Sequence, residues 1–188
     1  MNILTDKLPT KIRVNENIYD INYDYKTAIK TLMAFEDDEL TQSEKYYILL
    51  NNIYKQEIPV TDEIEAISKA IKFLNLGVDS ESNSNKESPR VYSFSKDASY
   101  IYSGISQTHK VDLEKESNLH FWKFMSFFMD MTPECMFGEL VYYRKRKQEG
   151  KLTKEEKQQY EKIKDLVDLE RVKVKSEERR KFFEEFNK

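Results

Sequence analysis

The sequence predicts a mainly α fold: a helical bundle with a small N-terminal β-hairpin and extended C-terminal helices. Three observations predict it. Apolar residues recur at i, i+3, i+4 and i+7 through most of the chain, which is the spacing of one helix face. Only 4 Gly and 4 Pro occur in 188 residues, too few for the many tight turns of an all-β fold. Charged residues make up 35%, which calls for long solvated helix faces. At 39% hydrophobic the chain still has the material for one sizeable core, in one domain or one domain with an appendage.

The elements follow in order. Residues 11–22 predict the hairpin: Ile12 and Val14 alternate, Asn15-Glu16-Asn17 supplies turn chemistry, and Ile18-Tyr19-Asp20-Ile21 returns. Val91-Tyr92-Ser93-Phe94 is the one other segment that could add an edge strand. Tyr25, Ala28, Ile29 and Leu32 mark a first helix over residues 25–36. Thr41-Gln42-Ser43-Glu44 is a capping box opening a second, with Tyr46, Leu49, Leu50 and Ile53 on one face. Ile64, Ile67, Ile71 and Leu74 make a third stripe, stopped at Gly77. Residues 79–89 carry no apolar side chain apart from proline and predict a flexible loop. Ser95 is the expected N-cap of the next helix, with Ala98, Ile101, Tyr102 and Ile105 facing inward. Residues 119–131 are apolar around nearly the whole circumference, as a central buried helix is. Thr132-Pro133 is expected to start the next helix, with Met136, Phe137, Leu140 and Val141 inward. Past Tyr143 the apolar seam thins to Tyr160, Ile163 and Val167 behind a second capping box, Thr153-Lys154-Glu155-Glu156. A last helix over residues 176–186 offers Phe182, Phe183 and Phe186. The composition thus divides the chain into a helical body, residues 1–143, and a charged helical arm, residues 144–188.

Charge follows that division. Residues 144–188 hold 16 basic and 11 acidic side chains, net +5, and residues 1–143 hold 15 and 23, net -8. The basic tail is either a solvated mixed-charge face or a contact for an anionic partner. Arg144-Lys145-Arg146-Lys147 and Arg179-Arg180-Lys181 could touch phosphates. Each run is nevertheless followed by carboxylates, and an overall pI of about 5.6 disfavours DNA over most of the surface. Phe182, Phe183 and Phe186 either dock back on the body or insert into a partner groove. With Arg144 and Arg146 they are the candidate partner-binding residues.

No catalytic, cofactor or metal site is expected. The histidines, His109 and His120, stand apart without a second ligand at metal spacing. A lone Cys135 excludes an internal disulfide and is expected as a small core residue. No nucleophile elbow and no Gly-rich phosphate loop occur. The most apolar stretch is interrupted by Lys123 and Asp130 and is shorter than the roughly 20 residues of a membrane span. No signal peptide is expected from the first residues, which lack a basic segment followed by an apolar one. The expectation is a cytosolic protein that acts by binding other proteins.

One resemblance sharpens this. Asn2-Ile3-Leu4-Thr5-Asp6-Lys7-Leu8-Pro9 precedes the hairpin, and Ile21-Asn22-Tyr23-Asp24-Tyr25-Lys26 leads into the first helix. Tyr92-Ser93-Phe94 with Asp97-Ala98-Ser99-Tyr100-Ile101-Tyr102 follows the polar loop. Leu119-His120-Phe121-Trp122-Lys123-Phe124 comes next, then Phe137 and Tyr142-Tyr143-Arg144. Their order and spacing resemble the bacteriophage "gene product fifteen" family of siphophages that infect Gram-positive hosts, over residues 1–169. The resemblance implies a tail assembly chaperone in the host bacterial cytoplasm. Such a protein binds the tape-measure protein, assists recruitment of the tail-tube protein, and needs no cofactor. Self-association is compatible with that role. A nucleic-acid-binding regulator using the basic tail is the alternative.

Overall fold

The computed structural model describes residues 3–79 and 90–169. The flexible loop expected at 79–89, save its first residue, and the helix expected at 176–186 lie outside the described residues. The hairpin forms as the alternation predicts: β1 (Lys11–Val14) pairs antiparallel with β2 (Asn17–Asp20), with Ile12 opposite Tyr19. Asn15 turns the corner with a positive φ of 49°, a conformation asparagine tolerates. Val14, Tyr19 and Ile21 are buried beneath it.

Helices α1 (Tyr25–Glu36), α2 (Gln42–Ile53) and α3 (Glu63–Leu74) pack in succession, and α3 returns to β1. Asp24 caps α1 through the Lys26 and Thr27 amides, and the Thr41–Glu44 capping box opens α2 as expected. Asp62, at the head of α3, accepts hydrogen bonds from the side chains of Asn15, Asn17 and Tyr19 at 2.9–3.0 Å. These three donors hold its carboxyl below the usual range and fasten the hairpin to α3. The inward stripe of α3 holds at Ile67, Ile71 and Leu74, which pack against the core, and differs from expectation at Ile64. Ala66, Ala70, Phe73 and Leu74 are buried, whereas Ile64 is 86% exposed. Small alanines on the inner face let α3 lie close to its neighbours, and Ile64, in the first turn, stands outside that contact. The left-handed stop of this helix falls at Leu76 rather than at Gly77: Leu76 takes a φ of 57° with its amide on the Phe73 carbonyl, and Gly77, at φ 86°, follows with its amide on the Lys72 carbonyl.

Helix α5 (Phe121–Met129) is the centre, touching α1 and α4. Phe121, Trp122, Phe124, Met125 and Phe128 are buried. Trp122 Nε1 donates to the Phe73 carbonyl at 2.9 Å, and the Tyr25 ring stacks on Phe124 at 4.8 Å. His120 caps the helix. Its Nδ1 accepts the Trp122 amide, so Nε2 carries the hydrogen donated to the Pro9 carbonyl. Burial pushes its pKa down, against the opposing hydrogen bond to Pro9.

Helices α4 (Ala98–His109), α6 (Met136–Gln148) and α7 (Lys154–Val167) complete the described α-helices. Three starts differ from expectation. No strand forms at residues 91–94: the Ser93 and Phe94 amides are taken by the carboxylates of Asp97 and Glu36, not by a neighbouring strand. Helix α4 begins after Asp97 rather than Ser95, and only Ile101, Gly104 and Ile105 are buried, so Ala98 and Tyr102 face out. Helix α6 begins after Cys135, whose buried thiol caps the Gly138 amide, because Thr132 and Pro133 form a preceding turn. A Cβ at Gly138 would stand 2.5 Å from the Pro133 carbonyl oxygen, so the turn requires glycine there. Helix α6 runs unbroken through residues 143 and 144, where the composition changes.

Candidate interaction surfaces

Arg144 follows Phe137 and Leu140 at the spacing of the buried face of α6 and is only 3% exposed. All five of its N–H donors have acceptors. Nη1 and Nη2 grip the Asp97 carboxylate at 2.6 and 2.9 Å, and Asp97 itself is 0% exposed. The remaining donors go to the carbonyls of Val91, Leu166 and Val167. Two of those carbonyls end α7, where a helix leaves acceptors without intrahelical partners. Lys96 takes the neighbouring Asp165 and Asp168 carbonyls. The C-terminus of α7 is therefore capped by cations from elsewhere in the chain, the sign its dipole favours.

Arg146 and Lys147 of the basic run are also engaged. Arg146 donates to Glu156 at 2.9 Å. That carboxylate also accepts the Thr153 amide and the Tyr142 hydroxyl, and the Thr153 bond, Tyr142 and Arg146 together hold its pKa at about 2. Lys147 reaches the Tyr160 hydroxyl and Asp168, both at 2.6 Å. Burial alone would raise the Asp168 carboxyl, but Lys147 and Tyr160 outweigh it and set it low. Arg144, offered by the sequence as a partner contact, is thus corrected to an internal clamp, because its guanidinium has no donor left for a partner. Arg146 lies beside it, half-buried in an ion pair, and Lys145 and Lys147 are the exposed members of the run. Phe182, Phe183 and Phe186 lie outside the described residues.

The helix stripe could have placed Arg144 inside. Asp97 could not be found that way, since its partner is 47 residues distant. No group of three or more His, Cys, Asp or Glu among the described residues could hold a metal ion. No helix among them is long and apolar enough to cross a membrane.

Three surface features remain. Val60 and Ile64, one helical turn apart on either side of Asp62, are 82% and 86% exposed. A groove of about 470 Å³ runs between the end of α1 and residues 90–94, lined by Leu32, Phe35, Glu36, Arg90, Val91, Tyr92 and Phe94. A more polar cleft of about 480 Å³ shares Arg90 with it and continues past Arg144 and Lys147 to Asp168 and Leu169.

No curated protein and no solved structure matches the chain. The family model described as Bacteriophage Gp15 protein matches residues 4–169, which take in the hairpin, all seven described helices and the Asp97–Arg144 clamp. The chain belongs to the bacteriophage Gp15 family.

Proposed function

We propose that this phage protein is a non-catalytic tail assembly chaperone in the host bacterial cytoplasm. It keeps the tape-measure protein soluble and assists addition of tail-tube subunits. The observation that carries the reading is the family match over residues 4–169, which supports a phage structural or morphogenetic role. The surface chemistry fits a protein that covers another chain's apolar surface. Val60, in the 3-10 turn that leads into α3, and Ile64, in the first turn of α3, stand almost fully in solvent, and such side chains gain by burial against an apolar partner. The alternative, nucleic-acid binding through residues 144–147, is weakened because Arg144, Arg146 and Lys147 are already paired with Asp97, Glu156 and Asp168.

Co-expression tests the reading. The tape-measure protein of the same phage is expected to move from the insoluble to the soluble fraction and to co-purify with this chain. Val60→Asp with Ile64→Asp is expected to abolish that rescue without lowering the melting temperature, since neither side chain is buried. A tape-measure protein that aggregates equally with and without this chain removes the proposal.

A further inference from the structure

We propose that the groove between α1 and residues 90–94 is a docking site for residues 170–188 of the same chain, which seat Phe182, Phe183 and Phe186 in it. This does not depend on which partner the protein serves. The groove is preformed. Glu36 ties its two walls together, accepting the Ser93 hydroxyl at 2.6 Å and the Phe94 amide at 2.9 Å, with Arg90 at 3.8 Å. Its floor is apolar: Leu32, Phe35, Val91, Tyr92 and Phe94 line it.

The course of the chain names the occupant. Leu169, the last described residue, lines the polar cleft that meets the groove at Arg90. The chain therefore leaves the described fold beside the groove. Three segments lie outside the described residues: 1–2, 80–89 and 170–188. Residues 80–89 are Ser, Glu, Asn and Lys with one Pro, and have no side chain to fill an apolar groove. Residues 170–188 carry three Phe, with Phe182 and Phe186 at the i, i+4 spacing of one helix face. From Leu169 to Phe182 the backbone spans up to roughly 43 Å extended or about 20 Å as a helix, ample for a neighbouring groove. Charge agrees as well: residues 170–188 hold seven basic and five acidic side chains, net +2, against net -5 for residues 1–169. A short tether also holds the segment near the groove at an effective concentration of order millimolar, which favours the chain's own tail over a separate molecule.

The test uses the full chain with Tyr92→p-benzoylphenylalanine as a photo-crosslinker. Irradiation is expected to join position 92 to residues 182–186 at the mass of a single chain, with a yield unchanged on dilution. Cross-links at the mass of two chains assign the groove to a second copy and overturn the proposal. So do cross-links to residues 80–89, or none. A second measurement guards against a disturbed fold. In the full-length chain with Phe182→Ser, Phe183→Ser and Phe186→Ser, amide exchange at residues 91–94 is expected to quicken about tenfold while α2 and α3 keep their protection. Unchanged exchange at residues 91–94 also overturns it.

Discussion

Around α5 the chain buries Phe121, Trp122, Phe124 and Phe128 against Tyr25, Phe73 and Phe94. Where α4, α6 and α7 meet, it buries Asp97 and Arg144 beside a small cluster of Leu140, Tyr143, Tyr160 and Val167. The first region is held by burial that is non-directional and spread over many contacts. The second is held by a bidentate pair and borrowed backbone carbonyls, so removing one member strands several others. The difference teaches that α7 is attached conditionally. Its own apolar seam is thin, and its C-terminus depends on Arg144 and Lys96.

Arg144→Ala should break this contrast open with the largest effect. It leaves the Asp97 carboxylate buried and unpaired, a loss of about 3–5 kcal/mol. Denaturation followed by far-ultraviolet circular dichroism should show an early loss of helix. The fluorescence of Trp122, the single tryptophan, should report a later midpoint. If both signals move together, the body and the junction unfold as one unit and the contrast fails. Arg144→Lys should recover only part of the loss, since three donors cannot replace five.

The two regions should also separate with pH, with a smaller effect. His120, in the body, is held neutral and its pKa lies below the ordinary 6.5. An unfolded chain would then bind a proton that the folded one refuses, so stability is complete above about 6.5 and declines as the pH falls through that value. Glu156 and Asp168, at the junction, have lowered pKa values instead. Their contribution is complete above the usual carboxylate range and is lost only as the pH falls towards their folded values, about 2 for Glu156. Between pH 6.5 and 5 the Trp122 midpoint should therefore fall while the α7 helical signal holds. His120→Asn keeps a capping side chain without a titrating ring and should flatten that decline. A decline of the same size in His120→Asn would assign it to another group.

The same division explains what could be read in advance. Hairpin, capping boxes and the aromatic-rich α5 are local patterns, and each formed where periodicity or cap chemistry placed it, although α5 turns Lys123, Ser126 and Met129 to solvent instead of burying its whole circumference. Several of the errors fall where a side chain from another part of the fold intervenes. Ser95 loses the N-terminus of α4 because Asp97 is drawn to Arg144 and the Ser93 amide. Residues 91–94 form no strand because Glu36 and Asp97 supply the acceptors a strand partner would. Arg144 reads as a surface charge inside a basic run, although its place after Phe137 and Leu140 on the helix was a visible clue. The groove at Arg90 has no local signature, since α1 and residues 90–94 meet only in the fold.

The smallest predicted effect uses the same motif in both regions. Thr41 opens α2 and Thr153 opens α7, each with a complete capping box. Replacing either with Ala should cost about 1 kcal/mol, within a range of roughly 0.5–2. Helix α2 adds Ile48, Leu49 and Ile53 to buried clusters of the body, so Thr41→Ala should lower the global midpoint and leave local exchange in α2 little changed. Helix α7 buries only Tyr160 and Val167, and its first turn is fastened to α6 through Glu156 with Tyr142 and Arg146. Thr153→Ala removes one of the restraints on that turn, so its effect should appear as faster amide exchange confined to α7, with the Trp122 midpoint unmoved. Equal, global effects of the two substitutions would mean that α7 is as firmly built into the fold as α2.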